Sequence, residues 1–170
     1  GWQFNGTVDN AVANSAQGYG AYMEGGYFLT PMIAVGGFAS FGSNDEYFGK
    51  QTYHFEDKSA LTTDIDRSLY QVPFGATLRC RFMRSQFQPY VEAKIGTEYS
   101  SQSTYMSTFV SRHDNWGFYI SPEIGFNWFP FQSTDFGFHL AAYYSYATNR
   151  NSAYGMDGIN NIGFKLGVAF

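Results

Sequence analysis

Apolar and polar residues alternate with a period of two along most of the chain, in segments of about 8 to 13 residues divided by polar connections. That period is the signature of strands with one face buried and one face set apart. Eight segments carry it: 1–8, 19–29, 32–41, 69–82, 90–99, 116–128, 136–147 and 161–170. The connections alternate in length. Thr30-Pro31, 83–89 and 129–135 are short, whereas 9–18, 42–68, 100–115 and 148–160 are mostly longer. An even-numbered up-and-down order gives this alternation when one rim is closed by tight turns and the other carries loops.

Successive side chains of a strand point to opposite faces, so each segment divides by parity. One set runs from Trp2, Phe4 and Val8 through Tyr70, Val72, Phe74 and Leu78 to Ile162, Phe164, Leu166, Val168 and Phe170, and holds no charge. The other set holds Glu24, Arg79, Arg81, Glu92, Lys94, Glu98, Glu123, His139 and Lys165 among many glycines. The segment at 32–41 is ambiguous, because Met32, Ala34 and Phe38 on the polar parity are apolar too. Pro73 and Pro122 fall inside segments, where each removes a ladder donor, so a bulge or local break is expected at one or both.

A soluble barrel with an apolar interior and a membrane barrel with the faces reversed share this alternation. Composition separates them. The chain is 44% hydrophobic, 21% aromatic and 14% charged, against about 25% charged for globular proteins. A soluble exterior needs many spaced charges, whereas this polar face is filled out with Gly, Ser, Asn, Gln and Tyr. Such a face suits the lumen of an eight-stranded barrel, which is only wide enough for side chains to fill it. Glu24, Glu92, Glu98 and Glu123 would then meet Arg79, Arg81, Lys94 and Lys165, a balance that lets buried charges pair. Tyr22, Phe28, Tyr90, Tyr119 and Tyr143 share the lumen parity and would narrow the bore further. The apolar set would meet outer-membrane lipid, with Trp and Tyr near strand ends as interfacial girdles. The expected fold is therefore all-β, one eight-stranded antiparallel up-and-down transmembrane β-barrel over residues 1–170, with a soluble lipocalin-like barrel as the alternative.

Other classes fall away. The formal charge is −4 with no Lys/Arg cluster, which lacks the basic footprint of nucleic-acid binding. No run supplies the roughly 18 to 20 apolar residues of a spanning helix. Cys80 is the only cysteine, so neither an internal disulfide nor a cysteine-based zinc site is available.

At this point the chain resembles the OmpA/OmpX-type eight-stranded outer-membrane barrels over its whole length. The C-terminal alternation Phe164, Leu166, Val168 and Phe170 is similar to the aromatic-ended signal that the barrel-assembly machinery reads during insertion. The stretch GGYFLTPMIAVGG is similar to the family's first periplasmic turn. The resemblance implies an outer-membrane location after signal-peptide removal, with short turns periplasmic and long loops outside the cell. It implies little about activity.

Candidate chemistry is sparse. Ser111, His113 and Asp114 in one long connection, and His54, Asp57 and Ser59 in another, have the residue types of a nucleophile, base and orienting acid. Loops rich in Ser and Asp produce such groups by chance, and no HExxH, GxSxG, Walker A or complete GxGxxG motif occurs. No cofactor is expected, and the chain is read as a non-enzyme. Asn44, Asp45, Glu46, Glu56, Asp57, Asp64 and Asp66 offer oxygen ligands without EF-hand spacing, so a solvated acidic loop is the plainer reading and no metal is assigned. Tyr47, Phe48, Tyr53, His54 and Phe55 give the loop at 42–68 an aromatic density typical of contact surfaces. The function that follows is a structural or interaction protein with a filled lumen, as an accessory subunit of a larger outer-membrane complex. A lipid-modifying enzyme and a small channel are the alternatives.

Overall fold

A computed structural model describes residues 1–8, 17–54, 60–106, 109–131, 136–148 and 158–170, with the side chains of 17, 46–54, 60–67, 102, 104–106 and 109–113 outside that description. Its strands are β1 (Trp2–Val8), β2 (Gln17–Phe28), β3 (Ile33–His54), β4 (Ala60–Arg81), β5 (Phe87–Met106), β6 (Phe109–Trp128), β7 (Gly137–Ala147) and β8 (Ile159–Ala169). Each pairs antiparallel with its chain neighbour, and β1 closes the barrel on β8. Closure removes both sheet edges within the membrane, where water cannot satisfy backbone groups.

The alternation sorts as the sequence implies, with the usual inside and outside reversed. Trp2, Met23, Leu78, Ile124, Phe164 and Leu166 are exposed, whereas Asn5, Gln71, Lys94, Ser121 and Lys165 are buried. In β3 the ambiguity resolves in favour of Ile33 and Val35 outside and Ala34 and Phe38 inside. On β6 the exposed Trp116 and Trp128 bracket the apolar band. Twelve strand residues separate them, about 40 Å of strand at about 3.3 Å per residue, or about 28 Å of height at a tilt near 45°, close to the apolar band of such barrels. Tyr99 and Phe74 pack on Trp116 with ring centroids 5.2 and 6.2 Å away, continuing one girdle across β5 and β4.

Strand length departs from expectation. β3 and β4 each have 22 residues and β5 and β6 each have 20, about twice the 9 to 11 needed to span. Most of 42–68 and 100–115, read from sequence as loops, is therefore strand. The ladder explains why: β3 and β4 stay paired to His54↔Ala60, and β5 and β6 to Met106↔Phe109. Beyond the membrane no lipid lines one side of these strands, so their sequence loses the apolar alternation that marks the spanning part.

The prolines interrupt the ladder without shifting it. On the β3 side of Pro73 the pairs resume at Gly42↔Gln71 in the register left at Ala39↔Phe74. On the β7 side of Pro122 they pass from Ile120↔Tyr146 to Glu123↔Tyr143, again in one register. Pro122 would face Tyr144 there, and the carbonyl that its missing N–H leaves open accepts from Ser121 Oγ at 2.8 Å. The register shift in this sheet lies instead between Phe48 and Gln51.

At the short-turn rim, Thr30 Oγ1 accepts from the N–H of Ile33 at 3.0 Å, closing the β2–β3 turn with a side chain in place of a backbone acceptor. The lumen is layered by the same logic of size. Along one hydrogen-bonded row, Phe38, Gly75, Gly96 and Tyr119 follow each other from β3 to β6. A Cβ on Gly75 would stand 2.5 Å from the Gly96 Cα, so only glycine permits this close approach. The space left is filled by the Phe38 and Tyr119 rings, 5.6 Å apart, which with Leu69, Ala147 and Ile159 form an apolar plug. On its long-connection side come buried amides: Asn5 Nδ2 donates to Asn44 Oδ1 and Asn161 Nδ2 to Gln71 Oε1, both at 3.1 Å.

Candidate functional site: the lumen ion cluster and its vestibule

Below the plug, five strands bring six charged residues into one cluster. Glu24 comes from β2, Arg79 from β4, Glu92 and Lys94 from β5, Glu123 from β6 and Lys165 from β8. Lys94 Nζ is 2.5 Å from both Glu24 Oε1 and Glu123 Oε2, and 3.4 Å from Glu92 Oε1. Lys165 Nζ bridges the same two oxygens at 2.9 and 2.8 Å. Arg79 donates through one terminal nitrogen to Glu24 Oε2 at 2.9 Å and through Nε to Glu92 Oε2. Three acids meet three bases, so the cluster is neutral as a whole. Neutrality matters here, because an unpaired ion in so low a dielectric costs several kcal/mol after relaxation.

His139 of β7 joins the cluster through tyrosines. Tyr90 Oη donates to Glu123 Oε1 at 2.7 Å and is 2.5 Å from His139 Nε2. Since the tyrosine proton goes to the carboxylate, Nε2 carries the imidazole proton and donates to the tyrosine oxygen. The other nitrogen, Nδ1, then accepts from Tyr22 Oη. The direction of donation fixes one neutral tautomer. Arg79 lies over the Tyr90 ring at 4.1 Å, and Lys165 is 4.9 Å from the Tyr22 ring centre.

Glu24, Glu92 and Glu123 place one oxygen each within 4.8 Å of the others, the spacing of a metal cage. The Lys94 ammonium contacts all three carboxylates, so a cationic side chain already supplies the charge that a metal would bring.

Not every predicted lumen charge enters the cluster. Arg81, expected among the pairing bases, sits at the short-turn rim, donating to Gln88 Oε1 at 2.7 Å and to the Pro31 carbonyl at 2.9 Å. It is the last residue of β4, where the lumen already opens. Glu98, two steps of alternation beyond Lys94, is buried nearer the plug. Phe164, Leu166, Val168 and Phe170 all face outward, the last 96% exposed. Tyr47, Phe48, Tyr53 and His54 lie on β3, with their side chains outside the described residues, as Phe55, Asp57 and Ser59 are entirely. Ser111 and His113 fall within β6 with undescribed side chains, beside an exposed Asp114.

The sequence reading missed an open space. At the short-turn end a cavity of about 640 Å³ reaches from Phe28, Arg81, Gln88 and Asn127 at its walls to Tyr22 and His139 at its floor. Polar residues in place of glycine on the lumen parity at strand ends, Gln88 and Asn127 among them, were the available signal.

Comparison with known proteins agrees with this architecture. The family model for the outer membrane protein β-barrel domain matches residues 1–170. The chain belongs to that family. Among solved structures, Neisserial surface protein A is similar at a TM-score of 0.58 and 15% identity, over 98% of this chain and 90% of that one. The attachment invasion locus protein of Yersinia pestis, solved with the heparin analogue sucrose octasulfate, is similar at a TM-score of 0.54 and 14% identity, over 99% of this chain and 92% of that one. The outer membrane protease OmpT of Escherichia coli is similar at 0.52 and 11% identity, over 92% of this chain and 64% of that one. At these identities the likeness is one of fold. No curated protein matches the sequence. As a member of the outer-membrane barrel family with a lipid-facing apolar wall, the protein resides in the outer membrane.

Proposed function

We infer that the protein is a non-enzymatic interaction protein, anchored by its barrel and presenting the overhanging parts of β3–β6 to a protein partner as a subunit of a larger outer-membrane assembly. The observation that carries this reading is the overhang. Among the described residues, the pairing of β3 with β2 ends at Asp45 and the backbone contact of β6 with the end of β7 stops at Phe118, while β3–β4 and β5–β6 stay paired further out. A sheet edge that outruns its neighbouring strand is a template for pairing with an added strand. A neutral ion cluster and an apolar plug across the lumen support a structural role for the interior over transport.

Charge narrows the partner. From Asp45 to Arg67 the sequence holds Asp45, Glu46, Glu56, Asp57, Asp64 and Asp66 against Lys50, Lys58 and Arg67. That is three of the four excess negative charges of the whole chain. The Yersinia neighbour was solved with a polyanion, but an acidic hairpin repels polyanions and suits a partner with a basic surface.

The test is native mass spectrometry of complexes extracted in mild detergent from native outer membranes. Wild type should exceed its own 19.1 kDa with other polypeptides present. A variant in which 49–64 are replaced by Asn-Gly, shortening both strands of the hairpin together, should run alone. A wild type of its own mass, or an undiminished complex from the shortened variant, would refute the reading.

A further inference from the structure

The vestibule at the short-turn rim is at the opposite end of the molecule from the overhang and independent of it. Its polar lining is unusually specific for an open mouth. Arg81 Nε and Asn127 Oδ1 are both buried atoms without a hydrogen-bond partner among the described residues, and Asn127 is only 9% exposed. Both residues line the same cavity, on either side of Gln88, which accepts from Arg81 and is paired across the ladder with Asn127. Strands β4 and β6 flank β5, so the two backbones stand about 10 Å apart, two strand spacings.

Arg81 also differs electrostatically from the other lumen cations. Arg79, Lys94 and Lys165 are matched by Glu24, Glu92 and Glu123, whereas the partners of Arg81 are an amide and a carbonyl. Among the described residues no carboxylate pairs with it. Its guanidinium carbon lies over the Phe28 ring, 4.1 Å from the ring centre. A second aromatic, Phe129, lines the same mouth.

We propose that this vestibule binds the C-terminal end of a short peptide, with the carboxylate on Arg81, a peptide N–H on Asn127 and an apolar terminal side chain against Phe28 and Phe129. The chemistry selects this class. Arg81 asks for an anionic acceptor, Asn127 Oδ1 asks for a donor, and the aromatic mouth asks for an apolar group. A buried donor or acceptor left unmade carries its full desolvation penalty, so a ligand that answers both gains where one that answers neither does not. A peptide end carries all three groups within about two residues, a span of about 7 Å when extended. A phosphate offers the anion without the apolar group.

The experiment uses the full chain refolded in detergent, with side-chain amide NMR signals of Gln88 and Asn127 as reporters. The probe is N-acetyl-alanyl-phenylalanine, which should give saturable shifts at both amides. Its C-terminal amide should bind at least ten-fold more weakly, and 3-phenylpropionate, which lacks the peptide N–H, and inorganic phosphate, which lacks the apolar group, several-fold more weakly. R81Q should lose ten-fold or more in affinity while N127L loses less, each variant first shown to be folded by heat-modifiable migration on gels. Absence of saturable shifts on wild type would overturn the proposal, as would equal binding of the free acid and its amide. Equal binding of phosphate and peptide would replace the peptide by a general anion and equally overturn it. The ligand series on wild type decides the matter even if neither variant folds.

Discussion

At the scale of single residues, Lys94 is the keystone of the lumen. Its ammonium contacts three carboxylates while fully buried. Lys94→Met would leave Glu24, Glu92 and Glu123 facing one another with two cations, and breaking a buried pair from one side costs about 3–5 kcal/mol. Urea unfolding of the refolded barrel should show a loss of that order, partly recovered in K94M/E123Q because one carboxylate charge is then removed with the ammonium. An unchanged midpoint for K94M would mean that the carboxylates are not held ionised. His139 gives a gentler test. His139→Phe keeps a ring in place yet deprives Tyr22 and Tyr90 of their imidazole partner. Tyr90 retains Glu123, so the expected loss is that of one strained-for donor at Tyr22, about 1–3 kcal/mol, read from the same unfolding curves.

At the scale of elements, the prolines and glycines decide how the strands lie. Ser121 Oγ stands in for the N–H that Pro122 lacks. Ser121→Ala should therefore expose the Tyr144 carbonyl to an unmet demand worth about 1–3 kcal/mol, and S121A/P122A should recover it by restoring a backbone donor. Hydrogen exchange of the β6–β7 amides would report both changes. The Gly75 and Gly96 pair is a packing requirement of another kind. Gly96→Val would drive a side chain into the Phe74 carbonyl, 2.0 Å from its Cβ, and into the space that the Phe38 and Tyr119 rings use. The folded fraction on refolding should fall sharply. Gly6→Ala, with nothing within 4 Å of the added Cβ, is the matched control and should fold as wild type does. The proline interruption was readable from sequence because a missing donor is a local property. The glycine pairing was not, since Gly75 and Gly96 become neighbours only through the β4–β5 register.

At the scale of the whole molecule, the barrel divides along its axis into regions of different chemistry: an open vestibule, a neutral ion cluster, an apolar plug, buried amides and an acidic overhang. An interior so occupied should not conduct. Planar-bilayer recordings are expected to show no stable, reproducible conductance, and opening the plug with Phe38→Ala and Tyr119→Ala together is the variant in which conductance should first appear. Steady conductance through wild type would contradict the filled lumen. The fold itself needed little beyond parity. Eight alternating segments and connections of alternating length already specify eight strands and closure, and the scarcity of charge on the polar face decides which face meets lipid.

What the sequence determined alone was the spanning barrel, because alternation is imposed by a two-sided environment and survives only where lipid and lumen differ. It also placed Glu24, Arg79, Glu92, Lys94, Glu123, His139 and Lys165 on one face, since parity is local. Which of these meet, why Arg81 stands apart at the rim, and how Tyr22 and Tyr90 clasp His139 depend on the stagger between strands far apart in the chain. The overhang belongs to the same class: without lipid on one side the hairpins of β3–β6 carry no apolar alternation, and only their hydrogen-bonded pairing shows them to be strands. The vestibule was decided last of all, by the space that packed side chains leave, a quantity no single segment contains.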